Sequence, residues 1–143
     1  ASIAEILVMI NSDRIFKRFS IKNVIIFSFI MAVARWLTLS AVKSPALILL
    51  SQTFHAVTYG AFHVSSILYI DSMTSDETKT LGQSLNNAVT YGLGLMVGFF
   101  ASGWLYGKVG SPALFALSSL VALSGGIIFM VFKFEGFVKR SNT

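Results

Sequence analysis

Four apolar segments of this chain are each long enough to cross a lipid bilayer as an α-helix. They are residues 24–42, 45–70, 81–106 and 112–132. A helix needs about 20 residues to cross a hydrocarbon layer that is about 30 Å thick. Strands are excluded as spanning elements because open sheet edges cannot be left in lipid. The sequence therefore predicts an all-α fold, a polytopic transmembrane helix bundle.

A shorter apolar run precedes these segments. Residues 1–12 resemble the last turns of a further membrane helix, and neither an initiating methionine nor the basic start of a signal peptide comes before them. We therefore expect residues 1–12 to be a truncated transmembrane segment of a longer protein.

The composition supports lipid as the main surroundings of the chain. Of its 143 residues, 55% are hydrophobic and 12% are charged, and the mean hydropathy is +0.75. A soluble domain carries charge on about a quarter of its residues. The absence of cysteine excludes disulfides and thiolate metal sites. We expect no metal and no cofactor.

The basic residues predict the orientation, because lysine and arginine accumulate on the cytoplasmic side of membrane proteins. Lys43 and Lys108 lie on one side. Eight basic residues lie on the other: Arg14, Lys17, Arg18, Lys22, Lys79, Lys133, Lys139 and Arg140. The loops 13–23 and 71–80 and the tail 133–143 are therefore predicted to be cytoplasmic. The net charge of +5 follows from this topology, and it gives no reason to expect a nucleic-acid partner.

Two charged residues lie within the apolar segments, where a charge costs about 3 kcal/mol or more and usually faces a polar cavity. Arg35 either reaches the outer interface beside Trp36 or faces a cavity, paired with a carboxylate. Glu5 is a proton site, a counter-ion or an interfacial residue. We expect both to face the cavity.

Two histidines lie eight positions apart in segment 45–70. His55 either relays a proton, since an imidazole titrates near physiological pH, or bonds a neighbouring helix. For His63 the bonded interpretation is favoured over a functional one. Two histidines at this spacing are not a metal signature.

Polar groups in segment 81–106 offer further cavity-lining candidates. Asn87 and Tyr91 are one helical turn apart and either line a cavity or bridge polar groups inside the bundle. Farther on, Gly94, Gly98 and Ser102 place a small residue at every fourth position, which permits close helix packing.

The order of these features resembles a known family. A basic loop is followed by a segment with Arg35-Trp36, and then by a segment that contains Gln52-Thr-Phe-His55 and ends Tyr69-Ile70. The next segment closes with Gly103-Trp-Leu-Tyr-Gly-Lys-Val-Gly110. This pattern resembles the C-terminal half of major facilitator superfamily transporters. It is most similar to the group of phenylpropionate permeases and nucleoside:proton symporters, which is akin to lactose permease. The resemblance implies a partial major facilitator fold, about helices 8–12 of 12.

The resemblance also implies roles for individual residues. Arg35 and His55 match the arginine and histidine of the lactose permease proton-coupling network. Thr58 replaces the carboxylate that follows that histidine by one turn, and Tyr91 replaces a lysine of helix eleven, which argues against galactosides as substrates. Glu5 matches an Ala-Glu pair of the phenylpropionate permease-like proteins.

Together these features predict a fragment of a secondary active transporter and not an enzyme. We expect proton-coupled symport of a nucleoside, sugar or aromatic acid by alternating access, with Glu5, Arg35 and His55 as coupling or binding residues and Thr58, His63, Asn87 and Tyr91 as possible cavity-lining residues. The expected partners are the lipid bilayer, the solute, protons and the N-terminal half of the same chain, in a bacterial inner membrane.

Two other classes stay open on sequence grounds. One is a non-transporting membrane subunit or assembly factor. The other is an intramembrane enzyme that uses the two histidines, for which no third metal ligand or activated nucleophile is evident.

Overall fold

The computed structural model describes residues 2–132, and within that range it contains helices and no strands. The prediction of an all-α fold is confirmed. The predicted cytoplasmic tail, residues 133–143, lies outside the described residues.

The helices follow one another with short connections. The first three are α1 (Ser2–Ile10), α2 (Ser12–Arg18) and α3 (Ile21–Ala41). The next stretch is divided into α4 (Pro45–Ser51), α5 (Thr53–His55), a π-helical segment π1 (Ala56–Ala61) and α6 (Phe62–Met73). The last stretch comprises α7 (Lys79–Asn87), a second π-helical segment π2 (Ala88–Gly94) and α8 (Leu95–Val131).

Local sequence explains where several of these helices begin and break. The Ser20 side chain accepts a hydrogen bond from the backbone N–H of Asn23 at 3.3 Å and so caps α3. Pro45 is the first residue of α4, where its missing N–H costs nothing. Gly110 interrupts α8 with φ 72° and ψ 173°, a conformation that glycine adopts without strain.

The chain from Pro45 to Met73 runs antiparallel to α3, as two contacts show. The Arg35 Nη2 atom donates to Gln52 Oε1 at 3.3 Å, and the Phe29 and Phe62 rings meet edge to face with centroids 5.6 Å apart. Since the later residue of α3 meets the earlier residue of the following stretch, the two elements have opposite directions.

The last stretch folds back twice. Near its beginning, Gln83 Nε2 donates to the Ile67 carbonyl at 2.9 Å and to Asp71 Oδ1 at 3.0 Å, which fastens α7 to α6. After the break at Gly110, Phe115 stacks on Trp36 at 5.7 Å. The part of α8 that follows the break therefore returns along α3.

The helices meet through small residues. Among the described residues, four buried side chains are serines, and each donates its hydroxyl to the carbonyl of a residue three or four positions earlier. They are Ser28, Ser51, Ser65 and Ser119. Small residues let helix backbones approach closely, which is the usual packing chemistry of membrane helices.

Large apolar side chains lie outside instead. Phe99 is 73% exposed, Phe100 78% and Val121 71%. The helical stretches Ile21–Ala41 and Lys79–Val131 are long and apolar enough to cross a membrane. Small side chains inside and large apolar side chains outside suit a surface that faces lipid and other helices.

Candidate functional site

Arg35 is a half-buried cation on the apolar helix α3, held by neutral groups. Besides the 3.3 Å bond to Gln52, its guanidinium carbon lies 4.8 Å from the centre of the Trp36 ring. The buried Nε atom has no hydrogen-bond acceptor among the described residues. Part of the donor fork is therefore not satisfied by the described residues.

A polar stripe runs along one face of the neighbouring stretch and consists of Gln52, His55, Tyr59 and His63. Their spacing of three, four and four positions places them on one helix face. The His55 and Tyr59 rings stack at 5.4 Å with an interplanar angle of 19°, and the Tyr59 and His63 rings stack at 6.1 Å and 4°. The three rings form a ladder that begins one turn from the residue that binds Arg35.

Tyr91 connects the far end of this stripe to the next helix. Its hydroxyl oxygen lies 2.6 Å from His63 Nδ1, and its ring meets those of His63 and Tyr59 edge to face at 5.8 and 6.4 Å. The tautomer of His63 decides which of the two atoms donates. This contact joins α6 to π2.

Both tyrosines of this cluster belong to a repeated pentapeptide. Ala-Val-Thr-Tyr-Gly occurs at residues 56–60 and again at 88–92, and each copy lies in a π-helical segment. Such segments are rare and often occur at functional sites. Tyr59 and Tyr91 occupy the same position in the two copies, which gives the two facing segments the same aromatic group.

The cluster lies well inside the apolar stretches. His63 is seven residues before the end of its apolar segment at Ile70, or about 10 Å along the axis, and Tyr91 is ten residues after Leu81, or about 15 Å. Half of a hydrocarbon layer is about 15 Å. Polar groups at this depth normally face the interior of the bundle.

The side chains of Thr58 and Asn87, two other predicted site residues, do not belong to this cluster. Thr58 donates to the carbonyl of His55 at 3.3 Å on its own helix, and Asn87 is exposed. The side chain of Glu5 lies outside the described residues, so its expected pairing stays a prediction.

Gln52 and Tyr59 are members of the stripe that the sequence analysis did not single out as site residues. The regular spacing of Gln52 and Tyr59 relative to the two histidines, together with the repeated pentapeptide, is the signal that identifies them. The role of Gln52 in particular becomes evident only from its long-range contact with Arg35 in the folded structure.

Two clefts elsewhere are apolar. One, of about 400 Å³, is lined by Val8, Phe19 and Phe27 among others, and the other, of about 170 Å³, lies beside Phe29 and Gly126. Arg35 and the residues of the polar stripe line neither of them. They offer no chemistry for a polar solute.

A family model described as the MFS_1 like family matches residues 1–117, most of the chain. The chain belongs to this family. The predicted resemblance to major facilitator transporters is thereby confirmed, and the membership together with the apolar helices supports an integral membrane protein.

One curated relative of this MFS_1 like chain is the probable 3-phenylpropionic acid transporter of Escherichia coli (strain K12). It is 27% identical over 121 residues, which are 85% of this chain and 31% of the relative. The chain thus spans about a third of the length of that relative. No solved structure matches the chain.

Proposed function

We propose that this MFS_1 like chain is part of a secondary active transporter that carries a small organic solute together with protons. The observation that supports this most is the environment of Arg35. A cation on an apolar helix, with a buried Nε that has no acceptor among the described residues, suits the binding of an anion.

An aromatic carboxylate is the solute class that fits the site best among aromatic acids, nucleosides and sugars. The planar fork of an arginine matches the geometry of a carboxylate. The ring ladder that begins at His55 and leads away from Arg35 offers aromatic edges to the ring of such a solute. The name of the bacterial relative, which refers to 3-phenylpropionic acid, points in the same direction.

Proton coupling is assigned to Glu5, Arg35 and His55. Glu5 carries the proton, Arg35 is its counter-charge or binds the anionic solute, and His55 is a hydrogen-bonding partner or relay. When Glu5 or a carboxylate on another part of the protein is protonated, Arg35 loses that partner and binds the solute instead. The loaded form then reorients by rocking of the two halves.

The proposal includes the setting of the protein. The chain occupies a bacterial inner membrane as about helices 8–12, with its C-terminus in the cytoplasm, and completes its cavity with the N-terminal half of the same protein. Family membership favours this function over a non-transporting subunit and over an enzyme.

Uptake by the reconstituted full-length protein tests this proposal. Proteoliposomes with an imposed inward proton gradient should accumulate labelled 3-phenylpropionate, and a protonophore should abolish the accumulation. Arg35→Ala should weaken uptake, whereas Glu5→Gln and His55→Ala should leave downhill exchange but lose accumulation. Lys43→Ala, which removes a cation outside the apolar segments, is the matched control. Unchanged uptake and unchanged coupling in all three site variants would refute the proposal.

A further inference from the structure

Gln52, the hydrogen-bond partner of Arg35, does not lie within a regular helix. It lies at the turn between α4 and α5, where its backbone N–H bonds to the Leu49 carbonyl at 3.1 Å. From there its half-buried side chain reaches across to α3 and accepts the hydrogen bond of Arg35. The turn thus fixes the backbone of the group that orients the guanidinium.

The neutrality of this partner has a chemical consequence. A carboxylate at position 52 would form an ion pair with Arg35 and compete with any anion that approaches. The amide oxygen of Gln52 accepts a hydrogen bond from Arg35 and, being neutral, does not itself compensate the positive charge. Since a guanidinium has five N–H donors and Gln52 engages one nitrogen of the fork, the others can bind an anion.

Trp36 completes the arrangement from the other side. Its ring lies under the guanidinium carbon at 4.8 Å and is itself stacked on Phe115 at 18°. An aromatic face stabilises a cation without neutralising it. Arg35 is therefore held by an amide and by a ring, and both contacts preserve its charge.

We infer that Gln52 is a positioning residue that presents the Arg35 guanidinium to the carboxylate of the solute, and that its lack of charge gives the site its preference for anionic over neutral solutes. This inference rests on the proposed function. It adds a specificity-determining residue that does not itself need to touch the solute.

Equilibrium binding to the purified full-length protein, with two ligands of the same shape, tests the inference. The ligands are 3-phenylpropionate and its uncharged amide, 3-phenylpropionamide. The unaltered protein should bind the carboxylate more tightly. Gln52→Glu should weaken binding of the carboxylate about 10- to 100-fold, the value of a hydrogen bond to a charged group, and should change amide binding less than about twofold.

Gln52→Met provides a second, uncharged variant of similar length. Because it removes the acceptor that orients Arg35, it should weaken carboxylate binding several-fold and spare the amide. A merely structural role of Gln52 would instead lower the affinity for both ligands together.

The outcomes separate the two proposals. If the unaltered protein binds neither ligand, or binds both equally, the proposed solute class is overturned and the role of Gln52 falls with it. If the unaltered protein selects the carboxylate and both variants select it equally well, the proposed function stands and the inference about Gln52 is overturned.

Discussion

The Tyr91 hydroxyl oxygen and His63 Nδ1 are 2.6 Å apart, and they belong to helices that run in opposite directions. The contact lies between α6 and π2, where the polar stripe ends. In a lipid environment a hydrogen bond between helices holds them together in addition to side-chain packing. The pair therefore ties the ring ladder to the neighbouring helix.

Tyr91→Phe removes this hydrogen bond and keeps the ring. We expect it to lower the free energy of unfolding by about 0.5–1.5 kcal/mol, measured by denaturant titration in detergent. Tyr106→Phe is the control, because the Tyr106 side chain is 59% exposed. Equal effects of the two substitutions would contradict the assigned role of the bond.

Gly82 marks a close approach of α7 to α6. A Cβ atom there would lie 2.7 Å from Thr74 Cγ2 and 3.2 Å from Ile70 Cγ2. Thr74 cannot turn away freely, since its hydroxyl donates to the Ile70 carbonyl at 3.0 Å. We expect Gly82→Ala to destabilise the protein by about 1–3 kcal/mol in thermal unfolding.

A second substitution and a control distinguish this clash from a general effect of alanine. Thr74→Ser deletes the obstructing methyl group, so the double variant should recover most of the loss. Gly107→Ala should be tolerated, because its added Cβ would meet no described atom within 4 Å beyond its chain neighbours and the backbone of its own helix. Failure of Thr74→Ser to rescue Gly82→Ala would show that the described contact is not the cause.

Asp76 and Lys79 form an exposed ion pair at the beginning of α7, with Lys79 Nζ 2.8 Å from Asp76 Oδ1. The hydrogen bond and the positive charge of Lys79 hold the pKa of Asp76 below its ordinary value. Because the folded pKa is lowered, any contribution to stability is present above the unfolded pKa of about 3.9 and is lost as pH falls through the folded value.

Lys79→Met should therefore raise the pKa of Asp76 toward its ordinary value, which an NMR titration of the carboxyl carbon can follow. Stability above about pH 5 should change little, because exposed ion pairs contribute little. An unchanged Asp76 pKa in Lys79→Met would contradict the pairing.

Local chemistry made part of this fold predictable. The Ser44-Pro45 pair predicts the start of α4, and the structure has Ser44 at the N-cap and Pro45 at the first helical position. The apolar segment predicted to begin at residue 112 likewise follows the break at Gly110. Such signals depend on a few adjacent residues, so they can be recognised without knowledge of the tertiary structure.

The site depended on contacts that no local pattern contains. The Arg35–Gln52 bond joins residues seventeen positions apart and needs the turn after α4. The two π-helical segments interrupt stretches for which the sequence predicts uniform helices. Their apolar composition does not distinguish a π turn from an α turn. For His63, the favoured bond to a neighbouring helix is present, with Tyr91 as the partner.

The proposed function requires that the polar stripe faces a water-filled interior while equally deep apolar residues face lipid. Tyr59 is 40% exposed and Val121 is 71% exposed, so exposure alone predicts that Val121 reacts faster with a reagent from outside. This chain has no cysteine, so single cysteines can be introduced once any in the rest of the protein are replaced.

The decisive measurement is the rate at which a charged, membrane-impermeant thiol reagent modifies Tyr59→Cys and Val121→Cys in the full-length protein in membranes. We predict rapid modification of Tyr59→Cys, slowed by 3-phenylpropionate, and no modification of Val121→Cys. Modification of Val121→Cys with Tyr59→Cys inert would show that the polar stripe does not face water.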